Sequence, residues 1–122
     1  MGGRKANSPG EREVRIVILR SAVEDLARGR DFYEQQGEGL GDYFEESLTS
    51  DIDSLRLYAG IHVQAHGYHR MLSDRFPYAI YYELADEQIR IRAVLDCRRD
   101  PKWIRSRIRQ GRANNGIDGD DE

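Results

Sequence analysis

Residues 68–103 read YHRMLSDRFPYAIYYELADEQIRIRAVLDCRRDPKW, and the rest of the chain is organised around this stretch. Within it, residues 68–72, 78–84 and 88–95 form three runs separated by short polar segments, and in the second run Tyr78, Ile80, Tyr82 and Leu84 alternate with Ala79, Tyr81 and Glu83. Alternation with a period of two is typical of β-strands, and short connections join neighbouring strands in antiparallel fashion. The pattern therefore predicts a three-stranded antiparallel meander.

The third run predicts a strand with two different faces. An apolar face is expected to carry Ile89, Ile91, Ala93 and Leu95, and the opposite face to carry Arg90, Arg92 and Val94. Such alternation is typical of a strand with one buried and one partly solvated side, here a cationic one.

Upstream of the meander, the sequence predicts a strand and then a helical hairpin. Residues 14–19 are rich in β-branched side chains, and their apolar groups on both faces are typical of an interior strand. Apolar residues at helical spacing follow from Val23 to Tyr33 and from Leu40 to Tyr58, with a glycine-rich link between them. We expect the two helices to pack against each other and to cover one face of the sheet.

Several residues predict where the helices begin and end. Ser21 and Glu24 have the spacing of a capping box at the start of the first helix. Asp100 is expected to cap a basic C-terminal helix that starts at Pro101. Gly111 is the expected end of that helix.

The full pattern predicts an α+β fold with the order β-α-α-β-β-β-α. An N-terminal helical hairpin would pack on a small, mainly antiparallel sheet, and a basic helix would follow. The 122 residues suffice for one domain. We expect a disordered lead over residues 1–12, a single domain over 13–110, and a disordered acidic tail over 111–122.

The composition excludes several classes of protein. Cys97 is the only cysteine, so an internal disulfide and a thiolate-rich metal site are excluded. No apolar run approaches the ~18 residues that a transmembrane helix needs, so no membrane partner is expected. The first residues lack the apolar core of a secretory signal. These features favour a cytoplasmic protein.

His62, His66 and His69 lie close together in the sequence, which raises the question of a metal site. No convincing helix pattern holds them on one face, and no cysteine or carboxylate nearby completes a ligand set. We therefore expect no metal and no other cofactor. Cys97 is adjacent to arginines that would lower its pKa if it were exposed, but a structural thiol is the favoured interpretation.

The C-terminal element carries the strongest charge signal. Residues 98–112 contain seven basic side chains and one acid. A cationic helix face would include Arg98, Arg99, Lys102, Arg105 and Arg109, while Ile104 and Ile108 would hold the other side to the core. Such a surface is suited to binding an acidic protein surface or phosphates. Of these two partners, nucleic acid is the weaker alternative. The alternative is that these arginines and Lys102 form a solvated helix face without a binding function.

Metal-free RNA cleavage is a further hypothesis that the residues leave open. It needs cations that stabilise the charge on the phosphate and a group that transfers protons at the 2′-hydroxyl. Arg70, Arg75, Arg98 and Arg99 could supply the cations, and tyrosines are abundant in the meander. The competing interpretation is that the tyrosines pack the sheet and the arginines coat its rim.

The sequence resembles the RelE/ParE superfamily of type II toxins, and the ParE-like branch most. The similarity lies in RFPY at 75–78 followed by IYY at 80–82, and in AVL at 93–95 running into RRDP at 98–101 with Trp103. Tyr33, GLG at 39–41 and Phe44 are also similar. The resemblance extends over about residues 13–108.

The resemblance implies a bacterial toxin that inhibits growth and is neutralised by a cognate antitoxin, with roles in plasmid stabilisation or the stress response. The antitoxin of such a pair folds onto the toxin as helix and strand. ParE-like members inhibit DNA gyrase by binding, whereas RelE-like members are ribosome-dependent mRNA endonucleases. A decayed member that only binds an antitoxin is a third alternative.

The resemblance also separates these activities through particular residues. Ala79 stands where a nuclease arginine is expected, and Trp103 stands near the place of a tyrosine, so the nuclease set is incomplete. Asp96 and Cys97 depart from the ParE-like pattern. The sequence therefore predicts a non-catalytic gyrase inhibitor. Its expected target-binding residues are Arg98, Arg99, Lys102, Trp103 and Arg105. Under the nuclease alternative, the active residues would be Arg70, Arg75, Arg98 and Arg99.

Overall fold

The computed structural model describes residues 14–119, and within them the side chains of residues 14–110. The strands are β1 (Arg15–Ile18), β2 (Gln64–Ala65), β3 (Tyr68–Leu72), β4 (Tyr78–Ala85) and β5 (Gln88–Asp96). The helices are α1 (Arg20–Glu34), α2 (Leu40–Asp53), α3 (Leu55–Tyr58) and α4 (Pro101–Gly119). The predicted α+β fold is confirmed. The short β2 is an addition to it, and the helix predicted from Leu40 to Tyr58 is divided into α2 and α3. The predicted disordered lead, 1–12, lies outside the described residues.

One sheet with the strand order β1-β5-β4-β3-β2 organises the described chain. The predicted meander forms its centre, since β4 pairs antiparallel with both β3 and β5. Each face of the sheet carries its own apolar cluster. Ile80 and Tyr82 of β4 point towards α1 and α2, whereas Ala79 and Tyr81 pack under α4. The alternation of β4 thus divides its side chains between two covered faces, as a period of two requires.

A β-bulge in β5 corrects the predicted faces of that strand. Tyr81 pairs with Ala93 and Tyr82 with Ile91, so Arg92 is an extra residue opposite β4. An extra residue reverses the side-chain alternation beyond it. Ile91 therefore faces the helical hairpin, while Ala93 faces α4. The prediction that Ile89, Ile91, Ala93 and Leu95 share one face is wrong for this reason.

The position of β1 differs from the prediction as well. Among the described residues it pairs in parallel with β5 and lies at an edge of the sheet, so the predicted interior position is not found there. β1 is only four residues long and covers only the first half of β5. Beyond β1, side chains of α1 contact the same edge. Ser21 Oγ donates to the carbonyl of Arg92 at 2.7 Å, and Asp25 Oδ2 accepts from the amide of Val94 at 3.0 Å.

This use of Ser21 explains why the predicted capping box is wrong. The helix α1 begins at Arg20 after Leu19, and no side-chain hydrogen bond caps it. Ser21 is 2% exposed, and its hydroxyl donates to the backbone of β5 instead of accepting from the amide of Glu24. Polar groups buried away from water need a partner, and the backbone of β5 supplies it.

The helical hairpin is closed by contacts that need small residues. A Cβ on Gly29 would lie 2.4 Å from Phe44 Cζ, so α1 and α2 approach closely only because this position is glycine. Tyr33 stacks on Phe44 with 5.2 Å between the ring centroids. In the turn, the Glu34 carboxylate accepts from the amides of Gly39 at 3.2 Å and Gly41 at 2.8 Å. These contacts fix the hairpin that covers one face of the sheet.

The last helix covers the other face. Asp100 Oδ1 accepts from the amide of Lys102 at 2.8 Å, which confirms the predicted cap, and Pro101 is the first helical residue. Ile104 and Ile108 are 8% and 5% exposed and anchor α4 to the sheet, as predicted. The predicted end at Gly111 is wrong, because α4 continues to Gly119. A glycine inside a helix costs only about 1 kcal/mol relative to alanine, which does not force an end.

Candidate functional site

The basic surface, defined here by residues 98–105, follows the end of β5 and includes the first turn of α4. Its predicted contact residues are Arg98, Arg99, Lys102, Trp103 and Arg105. The end of β5 and the Asp100 cap together fix its orientation, since they position the loop on both sides. Arg99, Lys102 and Arg105 are exposed, and Trp103 is half-buried against the apolar cluster under α4. The structure thus brings the predicted residues together on one short element.

Arg98 is held by a carboxylate two residues upstream. Its Nε and Nη2 donate to the two oxygens of Asp96 at 2.9 and 2.8 Å, and its backbone amide donates at 2.8 Å. These bonds raise the pKa of Arg98 above its usual value, and Tyr33 adds a smaller contribution. The same bonds from Arg98 hold the pKa of Asp96 below its ordinary value. Arg98 therefore has a fixed direction, and Asp96 compensates its charge.

Arg99 and Trp103 form a stacked pair. The guanidinium carbon of Arg99 lies 3.7 Å from the centroid of the Trp103 ring. A cation over an indole face is stabilised by the ring quadrupole, and the stacked guanidinium keeps its in-plane donors available. Trp and Arg are the residues most often found as anchors of protein interfaces. The pair gives this surface a preorganised contact group.

Other cations that the sequence contributes are used inside the fold. Arg90 and Arg92 share Glu83, with N–O distances of 4.0 and 2.7 Å, and Arg92 also lies over the Tyr68 ring. Arg107 forms an ion pair with Asp25. Fewer arginines are therefore available to a partner near the start of α4 than the sequence alone indicates.

Asp25 is the centre of a buried ionic cluster that the sequence analysis missed. Its residue surface is 4% exposed, and its carboxylate accepts from Val94 N, from Arg28 Nη2 at 2.9 Å, and from Arg107 Nη2. Burial raises the pKa of Asp25, and the Val94 amide and Arg107 offset part of that rise. The cluster joins α1, β5 and α4. It fixes α4 and with it the basic surface.

The residues of the nuclease alternative lie on different elements of the chain. Arg70 lies on β3 and donates to Tyr81 Oη at 3.2 Å and to Cys97 Sγ at 3.6 Å, on the α4 side of the sheet. Arg98 has Asp96 and Tyr33 as neighbours, on the side of the helical hairpin. Arg75 is exposed in the loop between β3 and β4. Arg70 and Arg98 both oppose the rise in the pKa of the Cys97 thiol, so these two cations lie near the same residue.

The single cysteine and the histidines have structural partners. Burial raises the pKa of Cys97, and the adjacent Arg70 offsets part of the rise, in keeping with a structural thiol. His62 Nδ1 lies 2.6 Å from Tyr82 Oη, and His69 Nδ1 lies 3.0 Å from the His62 carbonyl. Among the side chains of residues 14–110, no group of three or more His, Cys, Asp or Glu is arranged to hold a metal ion. No helix of the described part is both long and apolar enough to cross a bilayer.

The fold has a counterpart among solved structures. A chain from the structure described as "Chromosomal ParDE TA system from P. aeruginosa" superimposes with a TM-score of 0.57 and 16% sequence identity. The match covers 66% of this chain and 92% of that chain. No protein-family model matches the sequence, and no curated protein matches it. The chain therefore has the ParE/RelE-like fold that the sequence resemblance predicts, and at this identity the likeness shows the fold alone.

Proposed function

We propose that this chain is the toxin of a type II toxin–antitoxin system. The observation that carries the proposal is the likeness of its fold to a chain from a ParDE system over 92% of that chain. The sequence motifs of the meander and the Arg98–Trp103 segment support it independently. A cognate antitoxin would neutralise the toxin, and the toxin would act in the cytoplasm.

We further propose that the toxin acts by binding DNA gyrase rather than by cleaving RNA. Arg99 and Trp103 form a stacked anchor next to the exposed Lys102 and Arg105, which is an arrangement suited to a protein surface. Of the alternative nuclease arginines, only Arg70 is in a strand, and Ala79 stands where the resemblance leads us to expect a further arginine. The binding mechanism needs no proton transfer, so it does not require the groups that are missing.

Two reactions test the mechanism directly. Purified protein is added to a gyrase supercoiling reaction and, separately, to translating ribosomes. We expect inhibited supercoiling and intact mRNA. Cleaved mRNA with normal supercoiling would refute gyrase inhibition and favour the ribosome-dependent nuclease. If neither reaction changes and the protein still binds the product of an adjacent antitoxin gene, the decayed toxin-fold alternative is correct.

A double variant tests the assignment of the basic surface. Arg98→Ala with Arg99→Ala removes the fixed guanidinium and the stacked one, so we expect loss of growth inhibition with retained antitoxin binding. The matched control is Arg15→Ala with Arg56→Ala, which removes two exposed arginines elsewhere. Growth is followed after induced expression, and antitoxin binding by co-purification. Undiminished growth inhibition in the Arg98/Arg99 variant would refute the assignment.

A further inference from the structure

A cleft of about 440 Å³ lies between α1 and the start of α4, beside the basic surface. One wall consists of Arg28 and Phe32, which are one helical turn apart on α1. Arg99 and Trp103 line it as well, and Val94 lies at its floor. The cleft thus has one arginine and one aromatic ring from α1. A second arginine and a second aromatic ring come from the loop before α4 and from its first turn.

Both arginines are anchored and still able to donate. Arg28 uses Nη2 for the buried Asp25, yet its side chain is 62% exposed. Arg99 is held by its stack on the Trp103 ring, which occupies a face of the guanidinium and not its edge. A guanidinium carries five N–H donors in a plane, so each residue retains donors for a carboxylate. Preorganised donors lose little side-chain entropy on binding.

The aromatic residues indicate that the ligand also has an apolar part. Phe32 is 48% exposed, although the Phe side chain is one of those usually buried. Trp103 is half-buried and lines the cleft. The volume lies in the range of about 300–1,000 Å³ that is usual for ligand pockets. It suffices for a few side chains and is too small for a packed helix.

The charge balance of the cleft favours a carboxylate over a nucleic acid. Asp25 and Asp96 also line the cleft, so the positive charges of its two arginines are balanced by two carboxylates. Binding of a phosphate backbone depends on many uncompensated cations along its path. A single carboxylate next to an apolar side chain can be bound by two neighbouring guanidiniums alone.

We infer that this cleft binds a short acidic segment of the target protein, with a carboxylate between Arg28 and Arg99 and an adjoining apolar side chain between Phe32 and Trp103. The inference deepens the proposed function, because the cleft shares Arg99 and Trp103 with the basic surface. It rests on that function for the source of the segment. Contact with the target therefore extends from α4 onto α1, through Arg28 and Phe32.

Trp103 is the only tryptophan of the chain, so its fluorescence reports on this cleft alone. The probe is the capped tetrapeptide acetyl-Asp-Phe-Asp-Leu-amide, compared with its Asn isostere and with a short single-stranded RNA. We expect a saturable change in Trp103 emission with the acidic peptide and binding of the isostere about tenfold weaker. Arg28→Gln should weaken the acidic peptide by about the same factor, while the control Arg56→Gln should leave its affinity unchanged.

Three results would overturn the inference. They are equal affinity for the peptide and its isostere, tighter binding of the RNA, or no change in emission with any probe. Thermal unfolding of each variant shows whether it is folded, and Phe32→Ala provides a second variant that leaves the Arg28–Asp25 bond in place. Its expected effect is a loss of affinity for the acidic peptide of about tenfold.

The cellular experiment separates the inference from the proposed function. Arg28→Gln and Phe32→Ala should each lower growth inhibition and gyrase inhibition while the antitoxin still co-purifies. If the wild-type protein inhibits gyrase and both variants inhibit it equally well, the inference fails and the proposed function stands. If the wild-type protein does not inhibit gyrase at all, the proposed target fails, and the peptide titration alone decides whether the cleft binds acidic segments.

Discussion

Replacing Arg107 with methionine tests whether the Asp25 cluster holds α4 in place. The Asp25 and Arg107 side chains are 2% and 13% exposed, so this is a buried pair. Removing one partner of such a pair costs about 3–5 kcal/mol when the remaining charge has no other partner. Here Asp25 keeps Val94 N and Arg28, and methionine keeps most of the apolar stem. We therefore expect a loss of about 2–3 kcal/mol in the free energy of unfolding.

At about 2.1 cal/mol/K of unfolding entropy per residue, this loss lowers the Tm by about 8–12 °C for a chain of 122 residues. Thermal unfolding followed by circular dichroism measures it. The matched control is Arg105→Met on the same helix, where the side chain is exposed and the change should stay within about 0.5 kcal/mol. A loss below about 0.5 kcal/mol for Arg107→Met would refute the role assigned to the pair.

The pH dependence of the same variant provides a second test. Burial raises the pKa of Asp25, so the folded protein takes up a proton here more readily than the unfolded chain. The contribution of this residue to stability is therefore largest in acid and is lost as the pH rises through the raised pKa. Arg107 interacts with the charged carboxylate, so its removal should cost more at about pH 7.5 than at about pH 4. An equal cost at both pH values would contradict this account.

Three further predictions concern other parts of the fold. Gly29→Ala places a Cβ 2.4 Å from Phe44 Cζ, so we expect a loss of about 1–3 kcal/mol in denaturant unfolding; unchanged stability would show that the hairpin can adjust. Burial lowers the pKa of His62. The contribution of His62 to stability should therefore be present above the ordinary pKa of histidine and fall as the pH drops through the lowered pKa. An NMR titration of His62 that gives an ordinary or raised pKa would contradict this expectation. Tyr82→Phe removes a hydroxyl that lies 2.6 Å from His62 Nδ1 and accepts from Gly60 N at 2.9 Å. The free energy of unfolding should fall by about 0.5–1.5 kcal/mol. A gain in stability would refute the role of these bonds.

Local patterns in the sequence were sufficient to predict most of the architecture. The alternation of β4 is confirmed from Tyr78 to Tyr82, because Tyr78, Ile80 and Tyr82 lie in one apolar cluster and Ala79 and Tyr81 lie in the other. The Asp100 cap and the anchoring of α4 through Ile104 and Ile108 are also confirmed. Each of these features depends on residues that lie within a few positions of one another.

The features that the sequence did not predict depend on long-range contacts. The bulge at Arg92 is a property of two paired strands, and nothing in the run 88–95 alone distinguishes it from a regular strand. The Asp25–Arg107 pair joins residues 82 positions apart. Arg28 and Phe32 fall within the predicted first helix, and the helical pattern does not indicate that they share a cleft with Trp103. The Asp96–Arg98 pair is different, since its spacing of two residues was a local signal that could have been used.

The contacts of Ser21 and Asp25 with the open edge of β5 also bear on solubility. An unpaired strand edge is a template on which strands of other chains can add, and this is a common start of aggregation. Along the second half of β5, a hydroxyl and a carboxylate from α1 already engage the backbone of Arg92 and Val94. An incoming strand would first have to displace α1 and expose the charge of Asp25. We therefore expect this edge to resist intermolecular sheet formation even when the protein is produced in excess of any partner.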